Sequence, residues 1–246
     1  MVRHSIVRSP ALTCAIVSSI MLSSSTQRVR AQSTDTDRRA GVLILDFNVS
    51  ALKNAADWAP IGKGIPQLLR TELAANPDLR IVDRENLDHA LTELRLTRAA
   101  LIDPATAARV GKFVGARYFV AGGITIDFKN NLRLDVHATK VETMVQDYAQ
   151  KLQGKGDDVL DLIARLGSEM SKQFDPTPYD APVRPASDTA HPTKEGLRLA
   201  MLLGSAIDLR DRNDVEGAKA LVRQALALAP DNRGAKDMLA GLDRAP

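Results

Sequence analysis

Gly41-Val42-Leu43-Ile44-Leu45-Asp46-Phe47 is a short, nearly unbroken apolar run with a carboxylate close to its end. Its length suits a strand covered on both faces, since a buried helix would need about ten residues or more to declare itself. Such a strand belongs in the middle of a sheet with helices on either side. This run therefore sets the expected fold class: α/β (α+β), a mixed sheet with helices packed on it.

Working outward, Pro60, Gly62, Gly64 and Pro66 mark a loop. Ile65, Leu68, Leu69 and Leu73 then recur at helical spacing, which predicts a helix reaching Ala75 with Pro66 in its first turn. Leu79 to Val82 is a second short strand, and Asp83 is placed to cap a helix whose buried stripe is Leu87, Ala90, Leu91 and Leu94. Asp103-Pro104 opens another helix, with Ala107, Val110 and Val114 inward and Gly115 ending it. Arg117 to Asp127 returns to strand character, where Gly122 and Gly123 permit a bulge or a close backbone approach. After a turn at Lys129-Asn130-Asn131, Leu132, Leu134, Val136 and Ala138 alternate with Arg133, Asp135, His137 and Thr139, the period of a strand wet on one face. Val145 to Leu152 is the next strand, and Val159, Ile163, Leu166, Met170 and Phe174 mark a closing helix.

The ends set compartment and organisation. Arg3 and Arg8 precede an uncharged run from Ala11 to Ser25, too short to span a bilayer, which reads as a secretory signal peptide over residues 1–31, cut before Gln32. Residues 32–39 read as a flexible leader, 40–174 as the α/β domain, 175–193 with five prolines as a stiff linker, and 194–246 as a helical segment. Cys14, the sole cysteine, lies inside the leader run after Thr13, so the processed chain has neither disulfide nor thiolate, and a lipid anchor is not expected. Arg3, Arg8, Arg28 and Arg30 leave with the leader and take the formal charge of +3 to −1. That removes the electrostatic case for a nucleic-acid partner.

In the last segment, Leu202, Ala206 and Leu209 on one helix and Ala218, Val222 and Ala225 on the next, followed by Pro230, have the spacing of a tetratricopeptide-like helical hairpin. Ala235, Met238, Leu239 and Leu242 cover it. One repeat cannot bury a continuous core, so the pair is expected to pack on the α/β domain, on a second copy or on a partner.

Chemistry is sparse. Gly62-Lys63-Gly64 lacks the longer glycine spacing and Lys-Ser/Thr pair of a phosphate loop, and Gln67 stands where a dinucleotide fingerprint needs glycine. Neither cofactor nor metal is expected, since His89, His137 and His191 are far apart. Asp46 is the best placed lone carboxylate, with loop amides as its expected partners, and an enzyme reading would need it paired with His89. Asp83-Arg84-Glu85 reads as a helix start, with Asp83 capping and Glu85 beside the positive end. No catalytic residue is assigned. Trp58 is the one exposed-looking large aromatic, either an interaction anchor or a local staple for the next helix, and with Leu202, Ala206 and Leu209 it is the candidate protein-interaction set.

Val42 to Phe47, Gly62 to Ile65 leading to Leu69, Leu79-Arg80-Ile81-Val82-Asp83-Arg84, and Val110 to Ile124 together resemble the CsgG-like (curli assembly/transport) and TolB amino-terminal-like domain family over about residues 40–174. The resemblance implies an envelope-associated or secretory protein without catalytic residues, often ring-forming, in which the Asp-Arg step is structural. The turn between Asp127 and Leu132 is too short to carry the long hairpins of a pore. The expectation is a periplasmic scaffold or accessory factor, associated at most peripherally with the outer membrane, that binds an envelope protein or forms a homo-oligomer.

Overall fold

β1 (Ala40–Ile44) is buried along its whole length, as a run without alternation requires when layers cover both sides. The computed structural model describes residues 39–174 and 194–244. The expected leader and proline-rich linker thus lie outside the described residues, apart from Arg39. β1 pairs in parallel with β3 (Leu79–Ile81) on one side and with the first half of β4 (Tyr118–Ile126) on the other. The second half of β4 pairs in parallel with β2 (Asn48–Ala51), a strand that the residue pattern did not announce. β5 (Asn131–Lys140) and β6 (Gln146–Lys155) add antiparallel neighbours, giving the order β3-β1-β4-β5-β6 with β2 beside β4. The fold is the expected mixed α/β sheet with helices packed on it.

Helices α1 (Ala55–Trp58), α2 (Ile61–Leu73), α3 (Arg84–Glu93), α4 (Pro104–Phe113) and α5 (Val159–Phe174) follow the order read from the sequence, α1 being additional. Val42, Ile44, Leu132, Leu134 and Val136 share a core with α2 and α5. Leu43, Leu45 and Phe119 pack against α3 and α4 on the other face. Asp83 accepts from the Asn86 amide at 2.8 Å and Asp103 from the Thr106 amide at 2.9 Å, the two expected caps.

Of the two alternatives at Gly122, a bulge or a close approach, the second holds: a Cβ there would stand 2.7 Å from the Asp135 carbonyl oxygen. One local expectation changes. The residues expected to form a loop, Gly62 to Gly64, lie inside α2, which puts Pro66 in the helix interior rather than its first turn. Interior proline removes the hydrogen bond to the carbonyl four residues back. Here that carbonyl, of Gly62, accepts from the Phe47 amide at 2.8 Å. Relieving an interior proline ordinarily gains ~3 kcal/mol; because the freed acceptor is already used, Pro66→Ala is expected to change stability by less than ~1 kcal/mol. Thermal unfolding of the two proteins checks this.

The carboxy-terminal helices are α6 (Lys194–Asp211), α7 (Val215–Leu228) and α8 (Arg233–Arg244). Leu199, Ala200, Leu203 and Ala206 of α6 belong to the same core as the sheet, so this segment rests on the α/β domain, the first of the three expected places. Small residues recur every fourth position at Gly196, Ala200 and Gly204, a stripe on one face of α6 that lets backbones approach. A Cβ on Gly204 would sit 1.8 Å from the Pro60 carbonyl oxygen, and one on Gly64 1.8 Å from that of Ala200. Of the glycines resembling half a phosphate loop, Gly64 is thus the seat of a helix crossing, while Gly62 lies against the Phe47 carbonyl oxygen.

Candidate functional site

The densest group of charged side chains lies where β1 and β3 end and α6 ends above them. Leu45 still pairs with β4 through its amide, and Asp46 follows as the chain leaves the sheet. Its carboxylate accepts from Arg84 Nη1 at 2.9 Å and Nη2 at 3.4 Å. Asp46 was expected to bond loop amides; the correction is that a guanidinium from the first residue of α3 reaches it. Arg84 Nη2 also donates to Asp211 Oδ2 at 2.7 Å, and Lys63 Nζ contacts Asp208 at 2.5 Å and Asp211 at 2.8 Å. Arg84, with a side chain 5% exposed, thereby ties the sheet end to the last turn of α6.

Further arginines surround this pair. Arg98 bonds Asp88, and Arg210 lies 3.4 Å from Asp211 and 3.9 Å from Asp88. Arg70 is buried and donates to the Ile44 carbonyl oxygen. Burial draws its pKa down to about 10, Asp46 opposing and the neighbouring arginines adding to the effect. Burial also works against Arg84, but Asp46 and Asp211 outweigh it and its pKa is raised. For Asp211, burial would favour the neutral acid; the hydrogen bonds and charges of Arg84 and Lys63 reverse this and hold it well below the usual carboxylate range. Asp46 is lowered in the same way by Arg84 against its own burial.

A pH dependence follows from these directions. Both carboxylates are depressed in the folded protein, so their contribution is complete above the ordinary carboxylate pKa of about 4 and is lost as pH falls below it. Urea unfolding at neutral pH and at about pH 3 is expected to show a large acid loss for the native chain and a smaller one for Asp211→Asn. An identical acid loss in both would remove Asp211 from the network.

The other candidates are dispersed. His89 is 71% exposed and lies 4.0 Å from Glu93; no hydrogen bond joins it to Asp46. Trp58, expected to be exposed, is half-buried against the main core, as are Leu202 and Leu209, and Ala206 is fully buried there. Among the described residues no group of three or more His, Cys, Asp or Glu is arranged to hold a metal, and no helix is long and apolar enough to cross a membrane. Arg84, Lys63 and Asp211 were missed as a set because they lie up to 148 residues from their partners. The only local signal was Asp208 and Asp211, one turn apart on α6.

Residues 21–135 match the model of the family described as curli production assembly/transport component CsgG. The resemblance carried by the strand and glycine motifs is thus matched over that segment; the tetratricopeptide-like pattern of residues 194–246 lies beyond it. No curated protein matches the chain. Among solved structures, the LpoB carboxy-terminal domain from Salmonella enterica is similar at 21% identity, over 47% of this chain and 82% of that one, with a TM-score of 0.40. A PelC dodecamer from Paraburkholderia phytofirmans is similar at 14% identity over 56% and 89% of the two chains, TM-score 0.36. TolB from Acinetobacter baumannii is similar at 13% identity over 55% and 27%, TM-score 0.34. Scores of this size assign no function to the chain.

Proposed function

We propose that this chain is an exported, non-catalytic accessory protein of the bacterial cell envelope, a periplasmic scaffold that binds a protein partner during assembly or secretion of a surface structure. The observation that supports it most is the family match over residues 21–135, to a model whose description is assembly and transport. The leader-like start of the sequence agrees with export. Asp46 is held by Arg84 and His89 stands apart in solvent, which weakens the reading of an enzyme built on those two groups. The hairpins of β4, β5 and β6 close through short turns at 127–130 and 141–145, in keeping with a scaffold rather than a conduit.

The experiment is fractionation and crosslinking of the full chain in a bacterial host. The expected result is a shortened protein in the periplasmic fraction, crosslinked to an envelope protein. Recovery from the cytosol with the leader intact, or from the periplasm only as an unpartnered monomer, would overturn the proposal.

A further inference from the structure

The crevice at the ends of β1 and β3 is richer in cations than the α/β domain itself can neutralise. That domain contributes Lys63, Arg70, Arg84 and Arg98, and among its described residues Asp46 and Asp88 answer them there. Lys63 lies in the first turn of α2 and Arg84 is the first residue of α3, so the positive ends of two helices adjoin the same place. The carboxyl ends of parallel strands, where consecutive strands such as β3 and β4 lie on opposite sides of β1, are where open α/β sheets receive ligands. Arg84 Nε and Arg70 Nε are buried without an acceptor. Arg70 and Arg98 are both held below their ordinary pKa, by burial first and by nearby arginines in addition, with α6 in position.

What fills the crevice is the chain's own α6. Asp211 accepts from Arg84 and Lys63, and Asp208, one helical turn earlier, pairs with Lys63. We infer that the crevice is a recognition site for an acidic helical segment of a partner protein, presenting two carboxylates one turn apart, and that Asp208 and Asp211 are its tethered occupant. This deepens the accessory reading and rests on it. A tethered occupant competes at an effective concentration on the order of millimolar, so a partner segment displaces it only by contacts beyond the crevice. The part that must yield is short: the last turn of α6 and the bend at Asn213, whose φ is +66°. Leu199, Ala200 and Leu203 lie a turn or more earlier and Ala206 is buried just before Asp208, so the core contact inside the yielding turn is that of the half-buried Leu209.

The test uses the full chain and a fluorescently labelled peptide of residues 198–214, compared with the same peptide carrying asparagine at 208 and 211. By anisotropy the native chain is expected to exclude both. Asp208→Asn with Asp211→Asn in the chain should open the site, which then takes the acidic peptide about tenfold or more tighter than the asparagine peptide, the order expected for one charge-assisted contact set. Adding Arg84→Gln should abolish that preference, and Asp208→Glu with Asp211→Glu should restore exclusion. Asp211→Asn alone gives the same readout should the double variant unfold. Equal binding of the two peptides, or binding of neither by a variant whose circular dichroism shows it folded, overturns the inference. Crosslinking in the envelope separates the two claims. A partner recovered equally with the native chain and with Arg84→Gln leaves the accessory reading standing and removes the crevice from it. No partner with either chain sinks the accessory reading whatever the peptides do.

Discussion

Gly204→Ala is expected to destabilise the protein, against what helix propensity alone would give. Alanine in place of glycine within a helix gains about 1 kcal/mol. In α6 the new Cβ meets the Pro60 carbonyl oxygen at 1.8 Å, a backbone atom that cannot rotate away. α6 and α2 must then separate along the contact that buries Leu199, Leu203 and Ala206, and overpacking of this kind costs ~1–3 kcal/mol, more where backbone must shift. A net loss of about 2 kcal/mol is expected for alanine, and a larger one for Gly204→Val, where β-branching adds bulk at the same place. Urea unfolding gives the stability, and hydrogen exchange in α6 shows whether the helix has lifted. A stabilised Gly204→Ala protein would mean that the helices do not cross at Gly64 and Gly204.

Arg84→Met is the second large effect. The substitution keeps much of the volume and removes the charge, leaving Asp46 and Asp211 without their shared guanidinium. Removing one partner of a buried pair costs ~3–5 kcal/mol because the remaining charge is uncompensated. The carboxylate side chains are 28% and 21% exposed, so water recovers part of it and a loss at the low end, about 3 kcal/mol, is expected. Adding Asp46→Asn and Asp211→Asn to Arg84→Met should return part of that loss, since neither carboxylate is then stranded, the remainder reflecting the buried Arg70 that loses Asp46. Unfolding curves of the single and triple variants decide it. A loss under about 1 kcal/mol for the single variant would class the network with solvated surface pairs.

The carboxylate held by Arg84 shows how far the residue pattern reached. Asp83 as a cap and Glu85 at the helix start need only a hydrogen bond three residues long, and Asp83 does cap α3. Arg84 between them was read as part of the same local device, although its function is to join Asp46 with Asp211, 127 residues away from it. Gly62 and Gly64 misled for the same reason. Glycine before an apolar helix reads locally as a loop, whereas the cause of Gly64 is a helix from the far end of the chain lying against it. β2 escaped notice because its alternation, Asn48-Val49-Ser50-Ala51, lasts only four residues and its inward side chains are small and half-buried.

The amino-acid sequence by itself determined the sheet's central strand, the succession of capped helices and the wet face of β5, because each rests on a period or a cap only a few residues long. Tertiary structure alone decided that α6 docks on α2, that the carbonyl freed by Pro66 inside α2 is taken by the Phe47 amide, and that Arg84 bridges the strand end to Asp211. Those outcomes depend on which distant backbone or charge comes within a few ångströms, and neither side-chain spacing nor composition encodes that distance.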